Sequence, residues 1–259
     1  MVRSLSLAVT CLAVVGTLSG APAHKEFRRT VPLAANGRLE LGSERGTARI
    51  MPWDRQEVEV VATIDARPES PDPEESVRRT EIRFEATPDS VRIRTDFGDQ
   101  MRNGGWFNDH EVAPLVRYEI KVPRSLDLTV DDDRSEIHIG DLHGRLRLHT
   151  DRSTVEVASL EGSVSVEADR GSLRINRLAL TDHGDFQTDR TEVDLGINPN
   201  HGLSLDLELE RVSPDVADGL LTGLLRQDNR HLTYRGAIGK GGPTLRYNAD
   251  RGSLTLRRA

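Results

Sequence analysis

Residues 133–168, DRSEIHIGDLHGRLRLHTDRSTVEVASLEGSVSVEA, contain one pattern twice. An Asp-Arg pair opens each copy, two short runs of alternating apolar and polar residues follow, and Gly144 or Gly162 separates the runs. Strict alternation is typical of half-buried strands. A period of about twenty residues indicates supersecondary units that stack on one another and share a core.

The Asp-Arg pair recurs through the second half of the chain. Successive Asp residues are 18, 18, 20 and 61 positions apart, and the last step is close to three periods. The pairs are Asp133-Arg134, Asp151-Arg152, Asp169-Arg170, Asp189-Arg190 and Asp250-Arg251. Each Arg would keep its Asp ionised and paired, and Asp and Ser satisfy backbone groups in turns. We interpret the pairs as a structural corner ladder, with a ligand surface and a glycosidase-like carboxylate edge as the alternatives.

Equivalent positions of the repeats also agree in chemistry. Ile137, Val155, Leu173 and Val193 form one aliphatic column, and Ile139, Val157, Ile175 and Leu195 form the next. An antiparallel sandwich also has short strands at regular spacing, but it does not require agreement column by column. The prediction is an all-β parallel β-solenoid, similar to a β-helix, of repeats about 18–20 residues long.

The two ends of this repeat region are less regular. A helical turn is expected before Glu81, and a β-hairpin is expected through 88–90. Near 213–228, Ser213-Pro214 reads as a helix start, and an apolar stripe at helical spacing follows. The predicted organisation is a β-rich N-terminal part at 24–122, continuous with solenoid repeats at 123–259 that carry a short helical capping insertion.

Residues 1–23 have the features of a secretory signal peptide. Arg3 precedes an almost wholly apolar run, and Ala21-Pro22-Ala23 gives the small-x-small cleavage pattern. We expect export to the periplasm, the cell surface or the medium, with the mature chain beginning near His24 and containing no transmembrane segment. The only cysteine, Cys11, lies inside this segment, so the exported chain would contain no disulfide and no thiolate metal site.

The net charge of the chain limits the classes of partner that it can bind. The formal net charge is −7 at pH 7, which argues against nucleic acid as a partner. It gives no support for electrostatic docking on an anionic membrane either. We expect an envelope protein or a glycan as the partner, and a monomeric or weakly self-associating chain.

One family resemblance rests on residues 118–166, YEIKVPRSLDLTVDDDRSEIHIGDLHGRLRLHTDRSTVEVASLEGSVSV. This run resembles the bacterial putative-adhesin family of exported β-repeat proteins, in which a strand ending in proline precedes glycine-containing repeats. Pro123 matches that proline, Gly144 and Gly162 match a repeat glycine, and 235–257 is similar to the closing turn and last strand. Where the family often has Ser-Gly, this chain has Asp-Arg. The resemblance spans roughly 39–257, apart from the loops near 66–80, 96–113 and 210–230. It implies surface adhesion and offers no catalytic residues to carry over.

The loop DFGDQMRNGGWFNDH at 96–110 is the richest place for recognition. It contains Phe97, Trp106, Phe107 and His110 in a chain with only 4% aromatic residues. Exposed aromatic side chains anchor sugars and protein partners. The alternative is that these rings plug an open end of the repeat stack.

No residue set predicts catalysis, a metal site or a cofactor. Asp131–Asp133 with Glu136 and Asp141 fit no calcium-loop spacing, and the histidines near 138–149 lack zinc-site spacing. The sequence therefore favours a non-enzymatic envelope or cell-surface module with an interaction or structural role. A polysaccharide-acting enzyme that uses the Asp-Arg edge, and an envelope sensor that docks a partner protein, are the alternatives.

Overall fold

The computed structural model describes residues 23–98, 112–221, 225–228 and 230–259, which form thirteen strands and one α-helix, α1 (Pro73–Arg79). The strands are β1 (His24–Pro32), β2 (Arg38–Ser43), β3 (Gly46–Trp53), β4 (Glu57–Asp65), β5 (Glu81–Thr87), β6 (Ser90–Asp96), β7 (Leu115–Pro123), β8 (Asp127–Asp132), β9 (Ser135–Ile197), β10 (Leu203–Val216), β11 (Leu225–Asp228), β12 (His231–Ile238) and β13 (Thr244–Arg258). The predicted signal peptide falls on residues 1–23, of which only Ala23 is described.

The long segment β9 contains most of the repeated phrases and turns at each of them. Both aliphatic columns predicted from the alternation face inward, and each of their eight residues is at most 2% exposed. This alternation places every second side chain in one continuous core. The predicted core columns are therefore confirmed.

Successive coils approach each other most closely at the glycine turns. A Cβ atom at Gly162 would lie 1.7 Å from the carbonyl oxygen of Gly144, and one at Gly144 would lie 2.4 Å from that of Leu126. The φ angles of these glycines are 152° and 128°, which side chains disfavour. Gly144 and Gly162 thus permit direct stacking on the coil below.

The C-terminal coils do not stack in the order of the sequence. β13 pairs in parallel with the last coil of β9, with Asp250 opposite Asp189, and β10 pairs with the other side of β13, with Glu210 opposite Asp250. The 61-residue step between the last two Asp-Arg pairs therefore spans a single layer of the stack. In sequence order the outer coil β10 comes first, and β13 then returns to lie between β10 and β9.

The prediction of a regular parallel solenoid is wrong. The strands form a mixed, nearly closed sheet, in the order β1-β4-β7-β3-β9-β13-β10-β12-β11, with a branch through β8, β2, β6 and β5. Pairing is antiparallel for β1–β4, β4–β7, β5–β6, β10–β12 and β11–β12. Antiparallel strands cover both ends because a coil with no further repeat needs another partner for its edge. β3 lies between β7 and β9, so the N-terminal strands continue the same sheet.

The predicted helix at 213–228 is also wrong. Ser213 to Val216 continue β10, paired with 253–256 of β13, and 225–228 form β11. β13 presents Leu254 and Leu256 beside this segment, so the tertiary pairing overrides a helical pattern that Gly219 already weakens. Two N-terminal predictions are confirmed: α1 precedes Glu81, and β5 and β6 form the hairpin.

Candidate functional site

A ladder of alternating acidic and basic side chains runs along one corner of the stack. In five coils the Arg reaches the acid of the neighbouring coil and also contacts the acid that precedes it in sequence, whereas Arg134 contacts its own Asp133 at 3.3 Å. The inter-coil N–O distances are Arg152–Asp133 2.8 Å, Arg170–Asp151 3.1 Å, Arg190–Asp169 3.0 Å, Arg251–Asp189 3.1 Å and Arg211–Asp250 2.5 Å. The predicted corner pairs are thus brought together in register.

The backbone of the ladder arginines explains why the phrase recurs. Arg152, Arg170, Arg190, Arg211 and Arg251 all have φ between 51° and 65°. This left-handed conformation turns the chain at the corner and aims the guanidinium along the stack. A preceding Asp or Glu then receives that guanidinium, which offsets part of the backbone strain.

Two further corners escaped the sequence analysis because they use Glu in place of Asp. Glu210-Arg211 forms the corner of β10, and Arg211 contacts Asp250. Glu44-Arg45 precedes β3, in which Gly46 pairs with Ser135, so it aligns with Asp133-Arg134. Allowing either acid before Arg, with Gly or a small residue after it, would have found Glu44-Arg45-Gly46.

A groove of about 620 Å³ lies beside the ladder. One wall is formed by the ladder acids, and the other by side chains that project outward two positions earlier in each coil. Those outward residues are His149, Glu167, Gln187, Asn248 and Glu208. Small side chains at Thr150, Ala168, Thr188 and Ala249 line it between the walls, which leaves space for a ligand.

The groove continues toward the N-terminal strands. A second cavity of about 400 Å³ shares His149 and Asp151 with the first and is lined by Ser43, Glu44 and Asp131, among others. The two cavities together follow the corner from β2 to β12. Since neighbouring strands lie about 4.8 Å apart, the groove presents polar groups at a regular interval.

Burial and charge shift the acids at this N-terminal end. Burial raises the pKa of Asp132, which is 5% exposed and accepts hydrogen bonds from the backbone and hydroxyl of Ser135 and from Ser153 Oγ. Burial, and then the charges of Asp133 and Asp131, raise the pKa of Glu44. These acids therefore hold their protons more tightly than acids in water do.

The ladder acids themselves are poorly suited to acid–base catalysis. Burial raises the pKa of Asp169, but the hydrogen bond from Arg190 and the charges of Arg170 and Arg190 outweigh it, so this pKa lies below its ordinary value. A general acid needs a raised pKa and access to the substrate. Asp132 has the raised pKa, but its oxygens are buried and occupied by hydrogen bonds.

The predicted aromatic loop is described only in part. Phe97 is 3% exposed and packs in the core, so its ring is closed to a ligand. Trp106, Phe107 and His110 lie outside the described residues, and recognition through them stays a prediction.

The acids and histidines considered for metal binding lie apart. Of the histidines, His138 lies near Glu136 and Glu156, at 2.8 and 3.6 Å, while His143 lies near Glu161 and His149 lines the groove. In the part of the chain that the structure describes, no group of three or more His, Cys, Asp or Glu side chains could hold a metal ion. The same part contains no helix that is long and apolar enough to cross a membrane.

Comparison with known proteins gives distant structural likenesses. No family model matches the chain, and no curated protein does. A crystal structure of a putative cell adhesion protein from Clostridium sporogenes has a TM-score of 0.47 and 12% identity, covering 91% of this chain and 100% of its own. The chain thus resembles proteins described as putative adhesins.

Two further structures show the same distant likeness. A putative adhesin from Bacteroides fragilis has a TM-score of 0.30 and 11% identity, over 92% of this chain and 99% of its own. A putative lipid binding protein from Parabacteroides distasonis has a TM-score of 0.31 and 8% identity, over 90% and 95%. None of the three is described as an enzyme, and the likenesses are too distant to transfer a ligand.

Proposed function

We propose that the protein is a non-enzymatic, exported interaction module that binds an extended glycan along the groove beside the corner ladder. The observation that carries this proposal is the repetition of polar side chains along the groove. Side chains able to donate or accept hydrogen bonds recur on successive coils, from His149 to Glu208. A ligand that repeats its own hydroxyl groups would meet equivalent partners on each coil.

The strand directions favour a glycan over an extended peptide. A peptide that adds to a sheet needs a free strand edge. The central strands of the groove run across it and are paired on both sides, as β13 is by β9 and β10. A ligand lying in the groove therefore contacts side chains and not main-chain edges. Among the described residues that line the groove, Ala168 and Ala249 are the apolar ones.

The sequence of the first 23 residues supports export, and the pairing of the ladder acids with Arg argues against a catalytic role for this edge. Two of the similar structures are described as a putative cell adhesion protein and a putative adhesin. A groove whose ladder acids are paired with Arg, and whose walls offer hydrogen-bonding side chains on successive coils, is suited to binding.

Glycan-array binding tests the proposal. The variant Gln187→Ala/Asn248→Ala removes two exposed side chains that face each other on β9 and β13. We expect about tenfold weaker binding, because two hydrogen-bonding side chains are lost. The matched control is Thr154→Ala/Ser172→Ala, which removes two neutral polar groups on the other side of the corner and should bind normally. Absence of any glycan signal, or equal binding by both double variants, would overturn the proposal.

A further inference from the structure

We infer that the N-terminal end of the stack is a dimer interface, at which β1 and β5 each pair antiparallel with the same strand of a second copy of this chain. The inference is independent of the groove and of the proposed function. The sequence predicted a monomeric or weakly self-associating chain, whereas the edges of these two strands fit a symmetric dimer.

β1 ends the sheet on one side of the stack and has a free edge. Among the described strands it pairs with β4 alone. In an antiparallel pair, the N–H and C=O groups of successive residues point alternately toward the partner and away from it. Leu33 N donates to Gln56 O at 3.0 Å, so the odd-numbered residues of β1 face β4. The residues whose backbone groups point away from β4 are His24, Glu26, Arg28 and Thr30.

β5 has a free edge of the same kind, because it pairs with β6 alone among the described strands. The two-residue loop of the β5–β6 hairpin makes Thr87 and Ser90 a hydrogen-bonded pair. The backbone groups of Ile82, Phe84 and Ala86 therefore point away from β6. Within the described part of the chain, none of the outward backbone groups of β1 and β5 forms a hydrogen bond. Such unpaired groups are a template for a further strand.

The two free edges lie side by side and face the same way. The rings of Phe27 and Phe84 are 5.9 Å apart, and Lys25 Nζ donates to Thr80 O at 2.9 Å. Because β4 and β6 lie on the inner side of these strands, both free edges face away from the stack. One two-fold axis that passes beside Phe27 and Phe84 would therefore bring each edge onto its own copy, as in a closed symmetric dimer.

The charges on both strands are self-complementary about that axis. With the phenylalanine of each strand at the centre, Glu26 lies opposite Arg28 of the second copy, and Arg83 lies opposite Glu85 of the second copy. These four side chains are 46–75% exposed, so they are available to a partner. Opposite charges directly across an antiparallel pair stabilise it. Two strands that differ in sequence thus give the same centre of symmetry.

One charge pair at this interface is unfavourable. Lys25 would lie opposite Arg29 of the second copy, although the Lys25 ammonium is already directed to the Thr80 carbonyl. Two kinds of favourable charge pair, against this one, leave the sum attractive. Phe27 and Phe84 are only partly buried, and they would meet their own copies at the axis and bury the remaining ring surface.

Sedimentation velocity on the full chain tests the inference by exchange of charge. Glu26→Arg and Arg28→Glu each place like charges opposite one another, so each variant alone should dimerise at least tenfold more weakly than wild type. An equimolar mixture of the two variants places Arg opposite Glu again and should restore the dimer. The matched control is Glu192→Arg, which makes the same change of charge at an exposed position of β9 and should dimerise as wild type does.

Arg83→Glu and Glu85→Arg apply the same test to β5, and their mixture should also restore the dimer. A wild-type chain that sediments as a monomer at every concentration would overturn the inference. Single variants that dimerise as wild type does, or mixtures that stay monomeric, would overturn it too, since the dimer would then not use these edges. A response at β1 without one at β5 would overturn the shared axis. A thermal melt equal to that of wild type shows that each variant is folded.

Discussion

Replacing Gly162 with Ala inserts a methyl group at the point where two coils lie closest. The added Cβ would stand 1.7 Å from the carbonyl oxygen of Gly144 and 2.7 Å from its carbonyl carbon. Both neighbours are backbone atoms, so no side chain can swing away to make room. The φ of 152° adds a second penalty, because side chains rarely adopt it.

The expected cost follows from these two terms. Contacts of a Cβ shorter than 3.0 Å are essentially never seen, so the two turns must separate by about 1.3 Å, the difference between that limit and 1.7 Å. That displacement stretches the flanking hydrogen bonds beyond their normal range, at about 0.5–1.5 kcal/mol each. Backbone strain adds about 1–3 kcal/mol, so Gly162→Ala should lower the free energy of unfolding by about 3–5 kcal/mol.

Guanidinium chloride unfolding, followed by circular dichroism, measures this loss. The matched control is Gly42→Ala, whose Cβ would meet only the Arg94 side chain, at 3.2 Å, without a positive φ. The control should change the free energy of unfolding by less than about 1 kcal/mol. A Gly162→Ala protein within 1 kcal/mol of wild type, on the order of a surface substitution, would refute the stacking of these turns.

Three further predictions concern the core and the corner. Val157→Asp should lower the free energy of unfolding by several kcal/mol and abolish the cooperative melt, because Val157 is fully buried and the new charge would have no partner. A melt equal to that of wild type would place Val157 at the surface. Burial raises the pKa of Asp132, so the folded protein loses stability as the pH rises from about 4 through the raised pKa. Asp132→Asn should remove this loss. Equal pH dependence of the melting temperature in the variant and in wild type would contradict the prediction. In urea unfolding, Arg170→Gly should be more stable than Arg170→Ala by about 1 kcal/mol. Both variants lose the exposed ion pairs, but only Gly adopts the φ of 62° without strain. The reverse order of stability would show that the backbone at this corner is unstrained.

Local periodicity was enough to predict the inward columns. The alternation around Val157 and Ile175 assigns each residue to one face, and burial of the apolar face follows from the hydrophobic effect. The Asp-Arg pairs marked the corners for a similar reason, since a local turn determines them. These features depend on neighbours in the sequence.

Strand order could not be obtained in the same way. Nothing within 189–250 states that β13 lies directly on β9, because that choice depends on contacts between coils distant in sequence. Pro214 shows the same limit: it suggested a helix start, but it lies in β10 opposite Leu254. The antiparallel ends, the groove and its N-terminal acids all follow from this non-local pairing. Glu44 was overlooked for a simpler reason: the pair that recurs in the sequence is Asp-Arg, and this corner has Glu before its Arg.

The position of β13 beneath β10 has a consequence for vectorial folding. Chains are made from the N-terminus, and early segments can fold while later ones are still absent. β10 is complete well before β13, yet its parallel neighbour is β13, the last of the described strands. The growing chain can therefore add coils one at a time only as far as the end of β9. β10 and the hairpin of β11 and β12 that pairs with it cannot join the stack until β13, which is fifteen residues long, has formed between β9 and β10.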